Sequence, residues 1–341
     1  MSAVRATSRR LTQIDSLRGI AAVMVMLYHY VGFAYGADGV TLFFVISGFV
    51  ILVSLEGKAT FGAFAWARFV RLYPVYWSAV GLTSLALLLA GQAEQVSGEK
   101  ILVNLTMVPL IFRQFAGSVG TPAWYRLEDL DYSYWTLIYE LFFYALAGLS
   151  ALVLRIRRPE FPCLVWLAAT MIERLLHPVG LPWDVFGQAA TRFSECFVIG
   201  VVIHEFYRDR ARGLTWLLAI AAVAVSLVDE HGGGSGKFPI LVVGAGLLVW
   251  LGSIGALRPL MLQPFPFLGR ISYALYLVHQ TIGDLIEHAL AGHGVGGGLN
   301  LAIRCLVALG LASALTFFVE RRAHQMLIGL FDRAPRARGV V

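Results

Sequence analysis

The chain is 341 residues long, 58% hydrophobic and only 14% charged, with a mean hydropathy of +0.72. No water-soluble globule hides that much apolar surface in one core, which leaves an integral membrane protein. Its net charge of +6 comes from an uneven spread of arginines along the chain rather than from one basic patch, so it does not call for nucleic acid.

The apolar runs are long and uninterrupted, which predicts helices and argues against the alternating strands of about ten residues that build an outer-membrane barrel. Ten spans are predicted, at about 12–33, 40–56, 73–90, 134–154, 161–176, 190–207, 213–229, 238–256, 270–290 and 300–319. The first run is too long for a cleavable signal peptide, lacks a small-residue cleavage site and continues into another span. "ILVNLTMVPLIF" at 101–112 is too brief to cross and is expected to lie in the interface or re-enter. "HGGGSGKFP" at 231–239 and "AGHGVGGG" at 291–298 are expected as outer connectors. The expected architecture is an all-α polytopic bundle, a single transmembrane domain over 1–341 with its core at about 12–324 and a short basic tail at 325–341. Cys163, Cys196 and Cys305 are widely spaced and odd in number, so neither a disulfide framework nor a zinc site is indicated.

The Lys/Arg distribution orients this bundle. With ten spans, 20 cations fall on one side and 7 on the other: Lys100, Arg113, Arg126, Arg174, Arg192, Lys237 and Arg304. The longest loop on the poorer side also holds the acids Glu94, Glu99, Glu128, Asp129 and Asp131. By the positive-inside rule both termini face the cytoplasm.

Ionisable side chains inside the spans are the candidates for chemistry, because burying them in hydrocarbon is costly unless they have a partner or a task. In "IDSLRGIAAVMVMLYH" Arg18 and His29 are eleven residues apart, which puts them on one helix face about 16 Å apart, with Asp15 one turn before Arg18. Arg18 either snorkels to the lipid surface or lines a path from the cytosol. His29 is a structural imidazole or a base for an alcohol proton. In "VTLFFVISGFVILVSL" Ser47 and Gly48 read as small packing residues or, with no "GxSxG" elbow in support, as a nucleophile site. Arg68 and Arg71 in "WARFVRLYPVYW" share a face at the entry to the third span, near Pro74. They are topology markers, or, with Arg18, a seat for the phosphates of a nucleotide-bearing donor. Glu140 in "SYWTLIYELFFY" lies at nearly the depth of His29 and is expected to orient that imidazole or hold an acceptor hydroxyl, with Tyr139 beside it in sequence. "LGRISYALYLVH" supplies Tyr273, Tyr276 and a mid-membrane His279, and "FVERR" supplies Glu320 as an ion-pair partner for a nearby arginine. The eight histidines are scattered without ligand spacing, so no metal is expected, and Walker, Rossmann and "HExxH" patterns are absent.

Taken in order, "IDSLRGIAAVMVMLYH", "LFFVISGFVI", "ARFVRLYPVYW", "SYWTLIYELFFY", "LGRISYALYLVH" and "FVERR" resemble acyltransferase family 3, the bacterial membrane O-acyltransferases, over about residues 12–324. The resemblance implies a ten-helix domain of the cell (inner) membrane. It implies transfer of an acyl group, acetyl or longer, from cytoplasmic acyl-CoA as co-substrate to a hydroxyl of a glycan or related acceptor. No permanently bound cofactor is expected. It carries the family's Arg-then-His motif to Arg18 and His29, its arginine motif to Arg68 and Arg71, and its "WTL..E" acid to Glu140. That arginine motif often opens with two adjacent basic residues, whereas here Ala67 precedes Arg68. Some members carry an appended hydrolase-like domain that does not follow the tenth span here, so transfer is expected to finish in the membrane domain or with a partner. Either His29 takes the acceptor's proton directly or it forms a transient acyl-imidazole; the sequence separates neither route. The alternative is a carrier of a lipid-linked sugar or anionic solute, for which inverted repeats with broken helices would speak; the sequence displays none.

Overall fold

The computed structural model describes residues 2–108, 129–176, 190–228 and 237–332, the side chains of 2–10 and 328–332 excepted. All regular structure among the described residues is helical. Ser2–Val31 forms α1, Asp38–Leu55 α2, Phe61–Leu89 α3, Gly98–Asn104 α4, Leu137–Gly148 α5, Glu160–Leu176 α6 and Ser194–Tyr207 α7. Gly213–Leu227 forms α8, Lys237–Ser253 α9, Phe265–Val278 α10, Gln280–Gly292 α11, Gly297–Ala314 α12 and Arg321–Asp332 α13. A 3-10 turn, Tyr132–Thr136, leads into α5, and single π turns at Leu149–Val153 and Leu315–Glu320 follow α5 and α12.

Five stretches are long and apolar enough to cross a membrane: Leu11–Val31, Asp38–Leu55, Phe61–Leu89, Tyr132–Val153 and Gly297–Leu327. Gly213–Leu227, Lys237–Ser253 and Phe265–Val278 are apolar but shorter. Leu85, Leu88, Leu89, Trp216, Ile220, Leu247 and Leu306 are exposed on the outward faces, a surface that lipid covers and water does not. The chain is an all-α membrane protein.

Helix α1 stands at the centre, packed on α2, α9, α10 and α11, while α2 continues the core against α7 and α5. Two crossings set these distances. A Cβ at Gly19 would lie 2.5 Å from the backbone nitrogen of Gly269, and one at Gly269 would lie 2.3 Å from the carbonyl oxygen of Asp15. At the α2–α7 crossing, a Cβ at Gly48 would meet the Phe197 carbonyl at 2.0 Å, and one at Gly200 would meet that of Val45 at 2.2 Å. Without a hydrophobic drive between helices in lipid, this backbone proximity supplies the dispersion contact that holds them. The packing reading of the Ser47–Gly48 pair therefore belongs to Gly48.

The structure departs from the sequence-based spans in three places. Helix α3 begins at Phe61, well before the expected 73, because Thr60 caps it by accepting from the Ala63 N–H at 3.2 Å and Phe64 and Val70 bury its first turns. Arg68 and Arg71 are thus in mid-helix, and Pro74 is interior, with the Ser78 hydroxyl donating to its carbonyl at 2.9 Å. The expected ninth span is broken at His279 into α10 and α11. Asp131 causes part of this: its Oδ2 accepts the Thr281 N–H at 3.0 Å, a donor that a continuous helix would have used internally. The broken helix absent from the sequence reading is present here. Third, Arg174, Arg192 and Arg304 are not loop cations. Arg174 is buried and donates to both carboxylate oxygens of Glu195, at 3.0 and 3.1 Å, and to the Val225 carbonyl at 2.7 Å. Arg192 lies over the rings of Trp135 and Phe193, and Arg304 over that of Tyr30 at 4.1 Å while pairing with Asp284 and Glu287.

The piece at 101–112 contributes α4, held by Tyr76 and Trp77, which donate to the carbonyls of Asn104 and Leu105. Its residues 109–112, together with Arg113, Arg126, Glu128, the glycine-rich 231–236 and the tail beyond 332, lie outside the described residues.

Two stability predictions follow from these contacts. Gly200→Val drives a branched side chain into the Val45 carbonyl, and thermal unfolding in detergent is expected to fall by several degrees or to show no folded protein. Arg174→Met strands the Glu195 carboxylate, a loss of about 3 kcal/mol, most of which a second change, Glu195→Leu, is expected to recover; unfolding midpoints of the single and double variants measure both.

Candidate active site

The continuous helix α1 carries Arg18 and His29 on one face, as the spacing required, and each gathers a different set of neighbours. At the Arg18 end, α3 brings Arg68 and Arg71. The two share a cavity with Arg18, Ser47, Leu72 and Tyr144, with about 330 Å³ of empty volume. Arg71 forms an ion pair with Glu320 at 2.5 Å. Glu320 closes the π turn at Leu315–Glu320, whose extra residue turns the following chain relative to α12. The partner expected for Glu320 among nearby arginines is therefore Arg71, from another helix. The buried Nε of Arg68 has no hydrogen-bond partner among the described residues, and its guanidinium stands within electrostatic range of Arg18, Arg71, Tyr144 and Glu140. Asp15 is exposed at this end, within electrostatic range of Arg18 and Arg71.

Glu140 belongs to this end and not to His29. Its carboxylate accepts from Ser47 in a very short hydrogen bond and from the Tyr144 hydroxyl at 3.3 Å. The pairing of Glu140 with the imidazole expected from their similar depths is not formed among the described residues, because the α5 face that carries Glu140 turns toward α2. Ser47 thereby gives its hydroxyl hydrogen to the Glu140 carboxylate. Tyr139, one residue earlier, points away and packs in an aromatic cluster with Phe44, Trp135 and Phe193.

A second cavity, of about 410 Å³ empty volume, is lined by Arg18, Thr136, Glu140, Tyr273 and Tyr276 among others. Tyr273 donates to the Leu72 carbonyl at 3.2 Å, and the Thr136 and Tyr276 hydroxyls lie 2.9 Å apart. Arg18 lines both cavities and so sits where they meet.

At the other end of the face, the half-buried His29 lies with its ring centroid 5.3 Å from that of His279, which in turn is 5.8 Å from the Tyr276 ring. His279 is fully buried, and its Nδ1 faces the carbonyls of Tyr276 and Leu275 at 2.8 and 3.2 Å. Carbonyls only accept, so this nitrogen carries the proton and Nε2 keeps a lone pair. That Nε2 is buried without a hydrogen-bond partner. Asp131, read from the sequence as a loop acid, is wholly buried and within electrostatic range of both imidazoles. The spacing Asp131-x-Ser133, an acid accepting from the N–H two residues on, is the signal that would have found it. Tyr144, four residues after Glu140 on the same face, was legible in the same way. Among the described residues no group of three or more His, Cys, Asp or Glu side chains is placed to hold a metal ion.

A family model described as an acyltransferase domain, acyltransferase family 3, matches residues 11–319. The chain is 28% identical to the exopolysaccharide production protein ExoZ of Rhizobium meliloti over 318 residues, 89% of this chain and 96% of the relative. It is 26% identical to BcsY of Komagataeibacter xylinus, described as a membrane-bound transacylase, over 96% of this chain and 86% of the relative. A shorter match, 39% identical over 84 residues, covers 21% of this chain and 44% of protein 2 of the picA locus of Rhizobium radiobacter. No solved structure matches. With the family's motifs falling on one helix face and its two flanking cavities, the chain belongs to acyltransferase family 3, the membrane acyltransferases.

Proposed function

We propose that the protein moves an acyl group, acetyl in the simplest case, from acyl-CoA at the cytoplasmic side of the inner membrane to a hydroxyl of an exopolysaccharide or its precursor. The observation that carries this reading is the convergence of Arg18, Arg68 and Arg71 on one cavity in which a buried Arg68 N–H has nothing to donate to. Guanidiniums in that arrangement suit phosphate oxygens, which take paired N–H donors. Glu140 and Glu320 balance the cluster when it is empty. The second cavity, which Arg18 also lines, is bordered by Glu140, Tyr273 and Tyr276, and the Tyr276 ring lies 5.8 Å from that of His279, so the arginine cluster and the histidine pair are linked through the residues of one cavity wall.

The orientation is supported by the cation count. Three of the seven arginines and lysines assigned to the outer side are inside the bundle with carboxylate or aromatic partners, as Arg18, Arg68 and Arg71 of the other side are within helices around a cavity, so the excess of loop cations on the inner side stands. Both termini then face the cytoplasm, with ten spans, and the arginine cluster opens inward. The acceptor class rests on the exopolysaccharide role named for ExoZ. The thioester supplies the leaving group, and the protein aligns it with the acceptor and removes one proton at His29.

The broken helix at His279 is a feature shared with carriers, and a carrier would move its cargo without cleaving a thioester. Release of free CoA from acetyl-CoA by purified protein, given a glycan extract of the host, separates the two. Release that depends on both the extract and His29 is expected. His29→Ala should lose transfer by about 10²-fold or more with CoA binding unchanged, whereas Arg71→Ala should raise the KM for acetyl-CoA and leave kcat the less affected parameter. Equal loss of binding and transfer in His29→Ala, or no release from folded wild-type protein with short or long acyl-CoA, contradicts the assignment.

A further inference from the structure

We infer that His279 is the proton store of the reaction, accepting through His29 the proton that the acceptor hydroxyl gives up, with Asp131 as its buried counter-charge. This rests on the acyl-transfer reading above and adds to it roles for His279 and Asp131 that the resemblance does not assign.

Three observations carry it. The Nε2 of His279 is a buried lone pair with no donor, in a side chain with no exposure, and a buried acceptor left without a hydrogen bond is a standing cost to the fold. The tautomer is fixed from the opposite edge, where Nδ1–H is held by the carbonyls of Tyr276 and Leu275, so the empty nitrogen cannot turn away. The other imidazole is at hand: its centroid lies 5.3 Å from that of His279, a separation at which ring nitrogens turned toward one another come to about the 3 Å of a hydrogen bond. His29 is partly exposed, and contacts of this kind commonly tighten only when substrate is bound.

The charges around His279 suit a transient cation. Asp131, on the segment before the Tyr132–Thr136 turn, is buried and is spent on the Ser133 N–H and hydroxyl and on the Thr281 N–H, with no basic side chain bonded to it. From α1 come His29 and Tyr30, whose hydroxyl donates to the His279 carbonyl at 2.7 Å; from α10 comes Tyr276. On α11 Asp284 and on α12 Arg304 engage one another, and Arg304 also takes Glu287, so that arginine is already answered. Asp129 lies within range of Tyr276.

The step balances without a further reactant. The acceptor O–H breaks as one nitrogen of His29 takes the proton; the N–H on the other nitrogen of His29 passes to Nε2 of His279. The alkoxide forms the new C–O bond, the C–S bond breaks, and the stored proton returns through His29 to the CoA thiolate. His29 touches the substrate; His279 and Asp131 are positioning residues that act through it.

The test uses the full chain in detergent, acetyl-CoA and the host glycan extract, and reads kcat, KM and the pH profile of CoA release. His279→Gln keeps an acceptor at the site but cannot store a proton. It is expected to fold, by size exclusion, to lower kcat about 10²-fold with the acetyl-CoA KM within about twofold, and to displace the acidic limb of the kcat profile, which reports the histidine pair. In His279→Ala, added imidazole should restore part of the rate. Wild-type kcat and profile in His279→Gln overturns the relay while leaving acyl transfer standing, and so does a loss of rate with neither a shifted profile nor imidazole rescue, which marks a purely structural side chain. Wild-type protein without His29-dependent release overturns the acyl-transfer reading and the relay together.

Discussion

A charged side chain among membrane helices has no water to fall back on, and the arrangement of this bundle follows from where each such group finds its partner. Arg174 has Glu195, Arg304 has Asp284 and Glu287, and Arg71 has Glu320. The first two tie consecutive helices among the described residues, and the third ties helices through residues that the sequence places 249 apart. Several buried polar atoms among the described residues keep no partner, and two of them belong to the candidate site: an Arg68 N–H without an acceptor at one end of the α1 face and a His279 lone pair without a donor at the other. An excess of donors suits phosphate, and an excess of lone pairs suits the hydrogen of a hydroxyl, so the two ends differ in the chemistry they lack.

Close backbone approach makes this possible. Where Gly19 meets Gly269 and Gly48 meets Gly200, no side chain separates the helices, and α1 and α2 sit deep enough for their polar residues to face each other rather than lipid. Ser47 reaches Glu140 because Gly48, the next residue, lets α7 come close on the other side. The break at His279 has a similar logic in reverse. A continuous helix would have tied up the Thr281 N–H and turned the imidazole along the bundle surface; the break, held by Asp131, Tyr30 and the His279 ring itself, keeps that ring inside against His29.

Much of the site was legible one helix at a time. The eleven-residue spacing put Arg18 and His29 on one face, and the arginine pair on α3 read correctly as sharing another. Depth misled where it stood in for direction: Glu140 and His29 lie at similar depths, but Glu140 faces Ser47 and the arginines. Tyr139 failed for the same reason, since neighbours in a helix point about 100° apart and only one can face the cavity. Asp131 was hidden by its place in the chain. Before a helix and near other acids it read as a loop charge, yet its Asx-type spacing to Ser133 already described a cap.

The sequence by itself determined that the chain lives in a membrane, that it does so as helices, and which ionisable groups lie within them, because hydrophobicity and helical periodicity are local properties of the polymer. Tertiary structure alone decided the pairings. Whether an arginine meets a glutamate, a phosphate or a loop, and whether a histidine's free nitrogen faces a carbonyl or another histidine, depends on helix rotation, and small residues at crossings and side-chain caps at breaks set that rotation only once all the helices are packed.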